Sequence, residues 1–279
     1  MNPASPLPFL LLLLGTCLWG SLLHSPAAPS NPPRSGTNYI ATPVYTAEQD
    51  AEILALFDGL RVADVSDGMD AVGLHNIGLM DPGIGPLWKD PTNYAHRIIG
   101  IAVTVRYVPT QRPPAGLRED FDGWVGDWYE NLSPEPFAPL LRQGSVLVIE
   151  EHGKDAGTIG SNNILSWTLR GCVGVVTSAT ARDTDEIITQ RIPLYFTGPG
   201  RGIRPGRNEV ESVNRPIVCG GVLVMPGDLI VADGDGVIVV PRAKAAAVAA
   251  YARQTLEGDK SGRRRLYERL GRPLDPSVQ

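Results

Sequence analysis

With 279 residues, 43% hydrophobic and 20% charged, the chain can bury a substantial core and is too apolar to stay disordered. Its formal charge of −5 excludes a broadly basic face, and with it nucleic acid as the main partner. Three cysteines (Cys17, Cys172 and Cys219) make no disulfide framework, and the scattered His75, His96 and His152 give no zinc-ligand spacing. Cys172 and Cys219 lie beside apolar runs and read as buried free thiols.

The chain opens with LPFLLLLLGTCLWGSLL over residues 7–23, followed by small residues and the polar stretch SNPPRSG. This is the pattern of an export signal, assigned to residues 1–28, although no Lys or Arg precedes the apolar run. The expectation is an exported protein, or one touching the membrane only through an uncleaved leader; without a working leader it is cytoplasmic. Residues 29–45 read as a linker and 46–275 as one domain.

From Thr46, a candidate N-cap, AEQDAEILALF predicts a helix, and residues 62–72 a second. Residues 98–105, IIGIAVTV, predict a strand. Residues 109–137 form a polar and aromatic insertion, with Trp124, Trp128 and Tyr129 at helical spacing for packing rather than ligand stacking. Strands are predicted at 145–149, 173–176 and 193–196, separated by helices at 162–169 and 185–190. A β-rich tail follows, with strands at 217–219, 222–224, 229–232 and 237–240, then an Ala-rich helix from Ala243. The basic run Arg263-Arg264-Arg265 alternates with acids and reads as a solvated helix face. The order predicts a mixed α/β domain with sequential βαβ units and added hairpins.

Two segments offer chemistry. Gly157-Thr158-Ile159-Gly160-Ser161-Asn162-Asn163 joins a strand to a helix, where glycines admit a ligand close to the backbone and free N–H groups favour an anion; by itself it also fits an ordinary turn. Arg182-Asp183 follows the strand at 173–176, at the end of a strand where α/β folds collect ligands. Arg182 can fork onto a carboxylate and Asp183 can supply a hard oxygen to Mg²⁺, or the pair can be a helix cap and a surface ion pair. The DGDG of residues 233–236 lacks the other ligands of a calcium loop and reads as a turn between strands. Gly198-Pro199-Gly200-Arg201-Gly202 reads as a loop.

Taken together, GxxGSNN, then ARDTDE about twenty residues on, then CGGVLVMPGDLIVADGDGVIVVP resembles the RraA-like family over residues 50–270. That family includes the 4-hydroxy-4-methyl-2-oxoglutarate aldolases and the regulator of ribonuclease activity A. The resemblance implies a single αββα-type domain related to the phosphohistidine swivelling domain, with a β-rich C-terminal half and a C-terminal helix. It implies a homotrimer or a hexamer with sites at subunit interfaces. It places substrate on Arg182, metal (Mg²⁺ or Mn²⁺) on Asp183, and the substrate carboxylate on the turn Gly160, Ser161, Asn162 and Asn163. Glu257 matches an acid supplied by a neighbouring subunit. Where the aldolases carry an acid thought to position the catalytic water, this chain has Ser161, either a weak base that favours decarboxylation over retro-aldol cleavage or a cap for a helix starting at Asn162.

The implied function is a metal-dependent carbon–carbon lyase cleaving a 2-oxo acid to pyruvate, of aldolase or oxaloacetate decarboxylase type. The alternative is a non-catalytic protein-binding regulator. A Schiff-base mechanism would fall to Lys154 or Lys244, and neither has a setting that depresses a lysine pKa.

Overall fold

The computed structural model describes Gly36 and residues 38–112, 119–152 and 155–278. The leader and Lys154 lie outside the described residues. The chain divides into Met1–Tyr39 and Ile40–Gln279, and the second unit carries the fold below.

Its helices are α1 (Ala47–Phe57), α2 (Val62–Ala71), α3 (Phe121–Asn131), α4 (Ser161–Thr168), α5 (Thr184–Gln190) and α6 (Ala245–Leu270). Its longer strands alternate with them: β2 (Ile98–Pro109), β3 (Ser145–Glu150), β4 (Cys172–Thr177) and β6 (Leu194–Phe196). The tail adds β8 (Asn208–Val213), β9 (Ile217–Cys219), β10 (Val222–Val224), β11 (Leu229–Asp233) and β12 (Gly236–Val240). Two-residue strands β1 (Gly85–Pro86), β5 (Thr180–Ala181) and β7 (Gly198–Pro199) complete the set among the described residues. No helix among these residues is long and apolar enough to cross a membrane.

The main sheet runs β1-β6-β4-β3-β2-β11-β12, with β8 also paired to β2. β2, β3, β4 and β6 are mutually parallel; α3 lies between β2 and β3, and α4 and α5 join β3 to β4 and β4 to β6 as βαβ crossovers. β11 pairs antiparallel with the start of β2 and β8 with its end. The expected mixed α/β domain with a β-rich C-terminal half and closing helix is therefore present. β8 was not among the expected strands; its sequence NEVESV carries two acids on a half-buried strand. The 198–202 loop contains β7, which pairs with β5.

Alternation along the strands sorts two faces. Val103, Leu147, Ile149 and Val175 face α4 and α5, with Ile164, Trp167 and Ile187. Leu229, Val231, Ile238 and Val240 continue among residues of α2 and α6 such as Val65, Met69, Val248 and Ala252. The opposite face, with Ala102, Val146, Val148, Ile230 and Val239, packs under the β9–β10 hairpin through Ile217, Cys219 and Val222. Cys172 and Cys219 are buried free thiols, as expected, and burial pushes Cys219 up to about 12. Strands buried on both faces explain the near-continuous Val and Ile runs.

Thr46 caps α1 through a reciprocal bond with Gln49. Asp50, buried on the same helix, accepts from Arg142 before β3 and from Arg242 after β12, both at 2.5 Å. The 233–236 segment is the β11–β12 turn, where Asp233 accepts from the Val62 and Asp235 N–H groups. Arg264 and Arg265 are exposed, Arg264 pairing with Glu268, whereas Arg263 is half-buried, pairing with Asp259 and donating to the Ser277 carbonyl.

Candidate active site

The two chemical segments meet. Ile159 bridges Ala181 in parallel, and the Arg182 N–H donates to the Ile159 carbonyl at 2.8 Å. This pairing sets the start of α4 beside Arg182 and Asp183. Asp183 adopts the left-handed conformation at φ 56°, which Asp tolerates better than most residues. Its carboxylate makes no cap bond to α5. Instead Oδ2 accepts from the Ser161 N–H at 3.1 Å and the Ser161 hydroxyl at 3.4 Å.

Asp183 thus caps α4 from another part of the chain. The reading of Ser161 as N-cap is corrected: Gly160 is the N-cap, Ser161 is the first helical residue, and the glycine has no side chain with which to accept. By position Asp183 is the N-cap residue of α5. Although it precedes α5, it serves α4.

Burial pushes the Asp183 carboxyl up, but the Ser161 N–H and the neighbouring Arg182 guanidinium outweigh burial and hold it below the usual carboxylate range. Arg182 Nε donates to Asp183 Oδ1 at 3.2 Å, and both side chains remain about a third exposed. They line a cavity of about 140 Å³ together with Tyr129, Thr158, Asn162 and Asn163. Gly157 and Gly160 also border it. Gly157 sits at φ 50°, and a Cβ there would come within 2.5 Å of the Gly202 carbonyl. A Cβ on Gly160 would lie 2.9 Å from Asp183 Oδ2 and 3.2 Å from Asn163 Oδ1. In the first turn of α4 no carbonyl one turn back is available to the Asn162 and Asn163 amides, so both can receive an anion.

Residues absent from the sequence reading support this cavity. Glu135, between Pro134 and Pro136, accepts from Asn163 Nδ2 at 2.7 Å, Trp167 Nε1 at 2.8 Å and Arg204 Nη2 at 2.8 Å. Arg204 is buried, donates to the Tyr107 hydroxyl at 2.9 Å, and lies 5.0 Å from the Tyr129 ring centre. Burial pushes the Tyr107 phenol up to about 12, so it stays protonated and donates to the Pro134 carbonyl at 3.1 Å. Behind Thr158, buried Glu151 accepts from the Thr158 hydroxyl and from Asn208 Nδ2, and burial outweighs these bonds to raise its pKa.

The aromatic insertion divides between two roles. Trp128 is buried and donates to the Asn208 carbonyl at 2.9 Å, the expected packing role, while Tyr129 one residue on walls the cavity. Glu257 is exposed on α6 and borders no part of this cavity within one protomer. Lys244 lies in the short turn of 3-10 helix before α6, also away from it.

The family profile described as RraA-like, Aldolase/RraA, matches residues 62–239, more than half of the chain. The chain belongs to the RraA-like family. Among solved structures, an uncharacterised protein from Pseudomonas syringae superposes with a TM-score of 0.59 at 27% identity, covering 76% of this chain and 91% of that one. Streptomyces coelicolor RraAS2, described as an unusual member of the RNase ES inhibitor RraA family, gives a TM-score of 0.60 at 24% identity over 77% of this chain and 96% of its own, a likeness of fold. Two curated relatives are similar in sequence. Legionella pneumophila protein DlpA is 28% identical over 182 residues, 64% of this chain and 26% of DlpA. The 4-hydroxy-4-methyl-2-oxoglutarate aldolase of Thermus thermophilus is 31% identical over 102 residues, 35% of this chain and 60% of the aldolase. The match thus spans about a quarter of DlpA and under two thirds of the aldolase.

Proposed function

We propose that this RraA-like protein is a divalent-metal-dependent lyase that releases pyruvate from a 2-oxo acid. The observation that carries the reading is the ionised Asp183 beside the Arg182 guanidinium, both facing a cavity at the start of α4. Among the described residues no three His, Cys, Asp or Glu side chains gather as a metal cluster. One carboxylate in a polar cavity suits Mg²⁺ or Mn²⁺, which keep waters and take substrate oxygens for the rest of their shell. A cation held on Asp183 would supply Lewis-acid neutralisation of the oxyanion that develops on the substrate.

The protein's own groups do the remaining work. The amides of Asn162 and Asn163 receive the substrate carboxylate, and Arg182 neutralises charge on the 2-oxo end. Tyr129 lines the same cavity. In retro-aldol cleavage the C3–C4 bond breaks while the C4 hydroxyl gives up its proton, and C3 takes a proton to yield pyruvate. In oxaloacetate decarboxylation C4 leaves as CO₂ and only C3 needs a proton. The Ser161 hydroxyl is already directed to Asp183 and is a poor base, so this site favours decarboxylation.

The test is a panel including oxaloacetate and 4-hydroxy-4-methyl-2-oxoglutarate, read as pyruvate released. EDTA should abolish the activity, and Mg²⁺ or Mn²⁺ should restore it. Full activity after exhaustive chelation overturns the metal requirement, and no pyruvate from any member overturns the lyase reading.

Assembly belongs to the same proposal. We assign a closed trimer or a hexamer, in which the exposed Glu257 of a neighbouring protomer completes the site. Sedimentation should give one of these states for the active species. A fully active monomer would remove the neighbour's acid from the mechanism.

A further inference from the structure

Asn163 is oriented, not merely placed. Its Nδ2 donates to Glu135 at 2.7 Å, and rotating the amide would set its oxygen against that carboxylate. Glu135 is itself fixed by Trp167 and by Arg204, which is anchored in turn on the Tyr107 hydroxyl. The amide oxygen of Asn163 must therefore point the other way, toward Gly160. There it meets the Asp183 carboxylate: the Cβ that Gly160 lacks would lie 3.2 Å from Asn163 Oδ1 and 2.9 Å from Asp183 Oδ2. Two oxygen acceptors thus flank one small space that glycine leaves open, at the edge of the cavity. Asp183 Oδ2 already accepts from the Ser161 N–H and hydroxyl, while among the described residues no protein donor is paired with Asn163 Oδ1 on this side, and a carbonyl oxygen beside a carboxylate is a hard-cation donor set.

Resting on the metal-dependent reading above, we infer that Asn163 supplies a second protein oxygen to the cation held by Asp183, and that Glu135 is the positioning residue that keeps this oxygen facing inward. The Glu135–Arg204–Tyr107 chain then acts on the cation site without touching it, as outer groups orient ligands in other metal sites. It also gives one physical reason for a charged network under this turn: an apolar residue at 135 would leave the Asn163 amide free to present either end.

The experiment is Mn²⁺ binding to the full-length protein, without substrate, by isothermal titration calorimetry and by loss of the free-ion EPR signal. Asn163→Ala should weaken Mn²⁺ by about tenfold, the lower end of the effect of losing a supporting group at a metal site. Glu135→Leu removes the acceptor shared by Asn163 and Arg204 and so frees the Asn163 amide to present either end; it should weaken Mn²⁺ severalfold although Asn163 is intact. The double variant should be no worse than Asn163→Ala alone, because both changes remove the same oxygen. A purely structural Glu135 would lower thermal stability, leave Mn²⁺ affinity in the folded protein unchanged, and overturn its positioning role. If Glu135→Leu fails to fold, Asn163→Ala alone still decides the ligand. Asp183→Asn separates the two levels. Binding lost in Asp183→Asn but unchanged in Asn163→Ala overturns this inference and spares the metal reading. No Mn²⁺ binding by the unmodified protein overturns both.

Discussion

Asp183→Asn should abolish pyruvate release and leave the protein folded. Asparagine keeps an oxygen acceptor for the Ser161 N–H, and Asn and Asp are comparable caps, so α4 loses little. What goes is the negative charge. The substitution removes the cation's carboxylate and leaves Arg182 without its partner 3.2 Å away. Metal-assisted charge stabilisation is worth several kcal/mol, so the expected fall in kcat is on the order of a thousandfold. Steady-state rates on the best substrate of the panel, with a thermal melt of the same preparation, check both halves. A near-normal kcat would place the cation elsewhere. A large drop in melting temperature would show that Asp183 is chiefly a structural cap.

Arg204→Ala should be the most damaging single change to stability near the cavity. Its side chain is 5% exposed, and it holds Glu135 and the Tyr107 hydroxyl at once. Truncation strands a carboxylate and a phenol in a space alanine cannot fill, a mechanism that typically costs about 3–5 kcal/mol. For a domain of this size the melting temperature should fall by roughly 10 °C. Arg204→Lys keeps the charge but not the two-pronged fork and should fall between. A shift of less than about 2 °C for the alanine variant would mean that Glu135 and Tyr107 find other partners.

Much of this was written into local sequence. The strand cores at residues 98–105, 145–149 and 173–176 announced themselves by β-branched runs, and the GxxGSNN turn by its place between strand and helix. Arg182-Asp183 was legible because the end of a strand is where an open α/β sheet gathers ligands. The unseen parts depend on partners far along the chain. Glu135 meets residues 28, 32 and 69 positions away, so no spacing pattern reveals it; an acid fixed between two prolines was the one local hint. The cap alternative for Ser161 failed because the true acceptor, Asp183, arrives 22 residues later. β8 went unassigned because Glu209 and Glu211 break the apolar run that marks the other strands.

The long strand β2 carries one more consequence, for synthesis on the ribosome. Along one edge β2 takes β3, which emerges some forty residues later. Along the other it takes β11, which follows only after residue 228. The cluster around Phe57 and Met69 likewise waits for β11, β12 and α6, and Asp50 waits for Arg242. Nascent chains shorter than about 240 residues therefore expose an apolar β2 edge and an uncovered α1–α2 pair, the surfaces on which chaperones and aggregation compete. Folding of the N-terminal third is in effect gated by release of the C-terminal one. Truncations from the C-terminus should accordingly fail as a whole rather than leave a smaller stable core.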